Sequence, residues 1–86
     1  AMVRFTKHAR EKFLILKRHG LTIPKYAVLR TIHHPTFIDH SRLPLKIAQR
    51  SFDKTRVLRV VYREEGDEKV VITFYPGRKS QYEKRT

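Results

Sequence analysis

Residues 56–75, RVLRVVYREEGDEKVVITFY, contain two alternating apolar segments separated by a short acidic segment with one glycine. Alternation with a period of two is typical of β-strands with one buried face, and the glycine suits a tight turn. The inward positions are Leu58, Val60 and Tyr62 on the first strand and Val70, Ile72 and Phe74 on the second. The segment therefore predicts an antiparallel hairpin, with strands over 56–63 and 70–75.

The pairing register of this hairpin is constrained by the need to bury both apolar faces together. Only registers in which the numbers of paired residues add to an even total achieve this. One such register sets Arg63 against Lys69, which places two cations side by side. We therefore expect the other, which sets Arg59 against Tyr75 and Glu65 against Lys69. The face opposite the core then carries Arg59, Arg63, Thr73 and Tyr75 among Val57, Val61 and Val71.

Two helices are predicted before the strands. Thr6 can cap a helix that runs to about His19, with Ala9, Phe13 and Leu16 facing inward and Gly20 ending it. Thr22 can cap a second helix that has Pro24 in its first turn and ends before Pro35. Further strands are expected at 37–41 and 45–52, and Val3 to Phe5 can add a short edge strand. The sequence thus predicts one α+β domain over 1–86, with two helices on one face of a four-stranded antiparallel sheet and a basic tail over 76–86.

The charge of the chain is strongly positive and unevenly distributed. Twenty Lys and Arg stand against eight Asp and Glu, and four of the eight acids lie within 64–68. A surface of this kind attracts polyanions, so RNA or DNA is the first partner to consider and an acidic protein the second. No segment is apolar enough to insert into a membrane. Cysteine is absent, which excludes disulfides and thiolate metal sites, and we expect a cytoplasmic protein. The scarcity of Asn, Cys, Met and Gln also hints at a thermophilic source.

Several short segments together resemble a known family. They are Phe5-Thr6-Lys7-His8-Ala9-Arg10, His34-Pro35 after the helix pair, Leu58-Arg59-Val60-Val61-Tyr62, and Val71-Ile72-Thr73-Phe74-Tyr75-Pro76 before a basic tail that contains tyrosine. The chain is similar over nearly its whole length to the RelE/ParE toxin superfamily, in a small branch near the BrnT-type toxins. The resemblance implies two helices on a four-stranded sheet. For the ribonuclease members it also implies cleavage of mRNA, free or on the ribosome, without a metal or other cofactor, and control by an antitoxin.

The resemblance also implies candidate site residues. The ribonuclease members carry Lys and Arg on the sheet, with an Arg and often a Tyr near the end of the domain. Arg59, Arg78 and Tyr82 resemble that pattern, whereas His8 has no counterpart in the best-known ribosome-dependent toxins. An acidic antitoxin is the protein partner implied. The superfamily also contains gyrase-directed toxins and domains of unknown activity, so the fold alone does not define the function.

Metal-independent RNA cleavage requires a proton acceptor, a proton donor and cations that stabilise the phosphorane. We assign Arg59 and Arg78 to the phosphate, and Tyr82 or His8 to proton transfer. The residues predicted to bind RNA are Arg63, Tyr75, Lys79 and Arg50. Several also have an ordinary interpretation: Arg59 as a solvated sheet residue, Arg78 and Lys79 as a frayed tail, Tyr75 as a packing residue, and His8 as a residue either packed at the junction of helix and sheet or simply exposed.

Other site chemistries are poorly matched. His33, His34 and His40 lack suitably spaced carboxylates besides Asp39, and the sequence has neither a glycine-rich phosphate loop nor a serine or cysteine nucleophile motif. Three functions remain open: an RNA-cleaving toxin, a non-catalytic module that binds RNA or DNA through the same basic sheet, and a toxin that docks on a protein. The oligomeric state is not determined by the sequence.

Overall fold

The computed structural model describes residues 2–82, which form an α+β domain. In these residues five strands and three helices follow one another in the order β1 (Met2–Phe5), α1 (Lys7–Arg18), α2 (Lys25–His33), β2 (Phe37–Asp39), β3 (Lys46–Ser51), β4 (Arg56–Glu65), β5 (Glu68–Arg78) and α3 (Lys79–Tyr82). All predicted helices and strands are present, and the predicted α+β class is confirmed. No helix within residues 2–82 is long and apolar enough to cross a membrane.

The sheet has five strands in the order β1-β5-β4-β3-β2 and is mixed. The predicted four-stranded antiparallel sheet corresponds to β2 to β5, whose pairs are all antiparallel. The expected edge strand before α1 is also present, but it lies parallel to β5, from Met2 beside Glu68 to Phe5 beside Val71. Along the sequence, α1 and α2 lie between β1 and the other strands. The connection is therefore long enough for β1 to pair with β5 in parallel, which a tight hairpin turn would not allow.

The two long helices begin by different means. The prediction for α1 is confirmed, since the Thr6 hydroxyl accepts a hydrogen bond from the Ala9 amide at 3.1 Å. The prediction for α2 is wrong in detail: Pro24 occupies the N-cap position, without a side-chain cap, and Thr22 lies before it. Pro24 already has the extended backbone that an N-cap requires, and its missing amide leaves one fewer donor to satisfy.

The register of the β4–β5 hairpin agrees with the prediction over only part of its length. Arg59 lies opposite Tyr75 as predicted, but Lys69 lies opposite Glu64 rather than Glu65. A β-bulge between Val61 and Tyr62 shifts the pairing by one residue, because β5 has one extra residue there. The bulge also exchanges the two faces of β5 on its far side. Val71 was expected on the face away from the core, but it packs under the helices with Phe74. Val70 was expected in the core under the helices and is not part of it.

The strand β5 and its continuation differ from the predicted tail. The strand continues through Pro76 to Arg78, and α3 follows directly. Proline is tolerated at this point because β1 pairs with β5 only as far as Val71, which leaves the rest of β5 as an edge. Residues 83–86 of the predicted tail lie outside the described residues.

The main apolar core lies between the helices and one face of the sheet. It contains Phe5, Ala9, Ile23, Val28, Ile32, Ala48, Leu58, Val60, Tyr62, Val71 and Phe74. We call the other side of the sheet the open face; it carries Gln49, Val57, Arg59, Val61 and Tyr75. The four-residue helix α3 packs on its end. The open face therefore combines buried apolar residues such as Val57 with polar groups around Arg59, whereas the other face presents a hydrophobic core.

Candidate nucleic-acid interface

Arg59 lies at the centre of the open face, on the middle strand of the sheet. It is only 5% exposed, so the interpretation of Arg59 as a solvated sheet residue is wrong. Its Nε donates to the hydroxyl of Tyr75 at 3.1 Å, and its Nη2 donates to Oδ2 of Asp39 at 2.8 Å. Its Nη1 donates to Oε1 of Gln49. The guanidinium thus connects β2, β3, β4 and β5.

Tyr82 of α3 covers this guanidinium. The Arg59 Cζ lies 4.2 Å from the centre of the Tyr82 ring, a cation–π distance, and the Gln49 amide donates to the Tyr82 carbonyl oxygen at 3.5 Å. The ring also lies against Gly77, where a Cβ would be 2.3 Å from Tyr82 Cε2. Gly77 therefore provides the space that lets Tyr82 reach Arg59. We call Asp39, Gln49, Arg59, Tyr75 and Tyr82 the Arg59 cluster.

The Arg59 cluster holds its charges in an ionised state. Hydrogen bonds from Ser41, with a further one from Arg59, lower the pKa of Asp39 from 3.8 to about 2. Burial alone would lower the pKa of Arg59, but its hydrogen bonds with Tyr75 and Asp39 raise the pKa above its ordinary value. Asp39 therefore neutralises the Arg59 charge at neutral pH. In this arrangement Arg59 has no open side from which to clamp a phosphate.

A second group of charges lies at the end of the β4–β5 hairpin remote from its turn. A depression of about 440 Å³ is lined there by Lys54, Thr55, Arg56, Arg78, Lys79 and Ser80. We call this region the basic end. Arg56 is engaged, since its Nε and Nη2 donate to Oδ2 of Asp53 at 2.9 and 2.6 Å. Lys54, Arg78 and Lys79 make no ion pair with any carboxylate within residues 2–82.

The turn of the same hairpin has the opposite character, and we call residues 64–68 the acidic end. Its carboxylates are largely satisfied within the domain: Glu64 pairs with Lys46 at 2.7 Å, and Glu65 and Glu68 both pair with Arg4. Glu65 also pairs with Arg63. Hydrogen bonds from Lys46 and Arg63 lower the pKa of Glu64 and Glu65, respectively. The acids of this end therefore offset neighbouring bases, while at the basic end Asp53 offsets only Arg56.

The four predicted catalytic residues lie in three different places. Arg59 and Tyr82 are in contact, Arg78 is exposed at the basic end, and His8 is exposed in the first turn of α1, which packs on the opposite face of the sheet. Arg59 and Tyr82 are thus brought together. Neither Arg78 nor His8 joins them in the Arg59 cluster.

The predicted RNA-binding residues are also divided. Tyr75 belongs to the Arg59 cluster, and Lys79 lines the basic end. Arg63 pairs with Glu65 near the acidic end. Arg50 donates to the carbonyl oxygen of His34 at 2.6 Å, which satisfies a group at the C-terminus of α2. Of these four residues, Lys79 is therefore the best placed to meet a phosphate.

Sequence reasoning missed Gln49 and Lys54, and it considered Asp39 only as a metal ligand. Asp39, Gln49 and Arg59 come from three strands, and the pairing of β2 with β3 and of β3 with β4 is what aligns them. Lys54 had a weak signal, because it stands between Asp53 and Thr55 in a turn-like segment. Among residues 2–82 no group of three His, Cys, Asp or Glu side chains could hold a metal ion.

Comparison of the chain with protein families, curated proteins and solved structures gave no match. The evidence for function therefore comes from the residues, the fold and the two charged ends of the hairpin.

Proposed function

We propose that this domain binds single-stranded RNA, with the phosphate backbone lying across the basic end. The observation that carries this proposal is the separation of charge along the β4–β5 hairpin. The acidic end is paired with neighbouring bases, whereas Lys54, Arg78 and Lys79 surround an open depression. Phosphates that approach this end displace their counterions on contact with Lys and Arg, which favours binding.

RNA is the preferred polyanion because of the resemblance to the RelE/ParE superfamily, to which we propose that the chain belongs. That resemblance also implies an acidic antitoxin. Such a partner would bind over the same cations, since neutralising them is the most direct way to exclude RNA. We expect the two ligands to compete and the antitoxin complex to weaken steeply with salt.

RNA cleavage is a second candidate function, as a metal-independent endoribonuclease toxin. The contact of Arg59 with Tyr75 and Tyr82 favours it, because a phenol hydroxyl and a second phenol ring against a guanidinium offer proton transfer and charge stabilisation in one place. The site as folded is closed, with Asp39 neutralising Arg59. Cleavage would therefore require Tyr82 to move aside, which binding does not require.

The binding proposal is tested with a variant that carries Lys54→Gln, Arg78→Gln and Lys79→Gln. Its control carries Lys7→Gln, Lys17→Gln and Arg18→Gln, which removes the same charges from exposed positions on α1. Fluorescence anisotropy with a labelled RNA oligomer at several salt concentrations gives the affinity and its salt dependence. At about 0.7 per lost contact, the basic-end variant should reduce the slope of log K against log salt by about 2.

We expect the basic-end variant to bind RNA at least about ten-fold more weakly than the α1 control at moderate salt. Equal losses in the two variants would show that the field of the whole domain, and not the basic end, holds the RNA. Equal binding of single-stranded DNA would widen the ligand class. Incubation of RNA with the protein in EDTA tests the second candidate, and only fragments ending in 2′,3′-cyclic phosphate would support it.

A further inference from the structure

The basic end is built around a fixed turn rather than a loose tail. Asp53 Oδ1 accepts hydrogen bonds from the amides of Thr55 and Arg56 at 3.1 and 2.8 Å. The Lys79 amide donates to the Thr55 carbonyl oxygen at 2.8 Å. The bonds of Asp53 fix the turn before β4, and the bond of Lys79 joins this turn to the start of α3. The depression between them therefore has walls whose backbone positions are defined by the fold.

The charge within this depression exceeds what a single phosphodiester supplies. Four cations line it, and Asp53 neutralises one of them by its paired hydrogen bonds to Arg56. The hydrogen bond from Arg56 also lowers the pKa of Asp53, so this carboxylate stays ionised at neutral pH. Lys54, Arg78 and Lys79 remain. The hydroxyls of Thr55 and Ser80 add two neutral donors on the same lining.

A terminal phosphate is a better match to these groups than an internal one. An internal phosphodiester carries one negative charge and two unbridged oxygens. A phosphate monoester carries between −1.5 and −2 at neutral pH and presents three strong acceptor oxygens. The volume of about 440 Å³ also lies within the range of small-ligand pockets, so it has room for a phosphate and part of its nucleotide.

We propose that the basic end recognises a phosphate monoester, the phosphorylated terminus of an RNA strand, in preference to the internal phosphates. This inference rests on the proposed RNA binding and specifies which part of the strand binds in the depression. The remaining phosphates of the strand would then cross the surrounding positive surface. The domain would accordingly select the ends of RNA molecules, such as those that nucleases leave behind.

The test compares RNA oligomers of one sequence that end in a 5′-phosphate, a 3′-phosphate or hydroxyl groups only. At pH 7.5 we expect one of the two phosphorylated oligomers to bind about ten-fold more tightly than the hydroxyl-ended one, because a second charge meets the cluster. The difference between the 5′ and 3′ forms identifies which terminus is read. The preference should decrease below pH 6, where the monoester becomes a monoanion.

Two variants connect the preference to the depression. The double variant Lys54→Gln/Arg78→Gln should bind all three oligomers with equal affinity. The charge-matched α1 variant Lys7→Gln/Arg18→Gln should weaken all three in proportion and keep the preference. Circular dichroism of each variant establishes that the fold is intact before affinities are compared.

The outcomes separate this inference from the proposed function. If the three oligomers bind wild-type protein equally, recognition of the terminus is excluded while RNA binding stands. If none binds, the proposal of RNA binding is wrong. A titration with a nucleoside monophosphate, followed by amide NMR, then tests whether the depression itself binds a phosphate monoester. Shifts confined to residues 54–56 and 78–80 would retain a monoester site, and their absence would exclude it.

Discussion

The two faces of the sheet differ in the residues that they bury at their centres. The helix-covered face buries side chains such as Leu58, Val60 and Phe74, which require no specific partner. The open face buries Arg59 at its centre, together with a 3% exposed Gln49, and each of the three guanidinium nitrogens donates a hydrogen bond there. Hydrophobic packing tolerates small errors of position, whereas a buried cation depends on each of its partners.

The largest effect should come from the helix-covered face. Phe74→Ala removes a fully buried ring that also contacts Phe13, and we expect it to lower the free energy of unfolding by about 3–5 kcal/mol. Phe37→Ala is the matched control, since Phe37 is 53% exposed on β2 and should cost less than about 1 kcal/mol. Urea unfolding followed by circular dichroism measures both values. A similar cost for the two variants would place the core elsewhere.

Replacement of the central arginine examines the open face. Arg59→Met keeps most of the side-chain volume but leaves Gln49 and Asp39 without their cation, which should cost about 2–3 kcal/mol. Adding Gln49→Leu should recover about half of the loss, because the buried unsatisfied amide is then gone. A single Arg59→Met variant as stable as the wild type would mean that the cluster contributes no net stability.

The contact between the open face and α3 can be tested through Gly77. In Gly77→Ala the new methyl group would overlap the Tyr82 ring, and the displacement should cost about 1 kcal/mol. In a Tyr82→Ala background the same change should be neutral or slightly stabilising, because alanine restricts the unfolded chain more than glycine. Unfolding free energies of the four proteins give the coupling between the two sites. The Nε–H signal of Arg59 in NMR spectra should shift whenever the ring is displaced. Additive effects would exclude the contact.

The smallest expected effect is a pH dependence from Asp39. Its folded pKa of about 2 lies below its ordinary value of 3.8, so its contribution is complete above about pH 4 and is lost as the pH falls towards 2. Allowing for a side chain that is 22% exposed, we expect a contribution of about 1 kcal/mol. The stability difference between wild type and Asp39→Asn should therefore shrink between pH 5 and pH 2. A difference that stays constant over this range would show that the Asp39 charge is not responsible.

The sequence predicted the helix-covered face better than the open face, for a physical reason. Alternation and helical periodicity record which residues are apolar, and that is enough to assign Leu58 and Phe74 to a core. The bulge in β5 defeated the same logic for Val70 and Val71, since one extra residue exchanges the faces. Periodicity says nothing about which polar residues meet. An arginine between valines has the same pattern whether it is solvated or buried against Asp39 from another strand.

The site was predictable to a similar extent. The positive charge and the acidic turn follow from the sequence, and the choice of Arg59 and Tyr82 followed from the resemblance to the RelE/ParE superfamily. The structure brings both residues into contact, with Tyr75 beside them. The basic end was only half anticipated, through Arg78 and Lys79. Its other half is the turn with Lys54. That half depends on the hydrogen bonds of Asp53 and on α3, a helix that forms where the sequence predicted a tail.

The parallel pairing of β1 with β5 has a consequence for how the chain folds. The Thr6 hydroxyl donates to the carbonyl oxygen of Ile72, 66 positions away, so β1 and α1 cannot be anchored until nearly all of the domain is available. Contacts between such distant segments slow folding, because a large loop must close before they form. During synthesis Phe13, on the apolar side of α1, would be made long before Phe74, the ring that it contacts in the folded domain. The newly made chain would thus expose its basic amphipathic helices before the sheet that covers their apolar sides has formed.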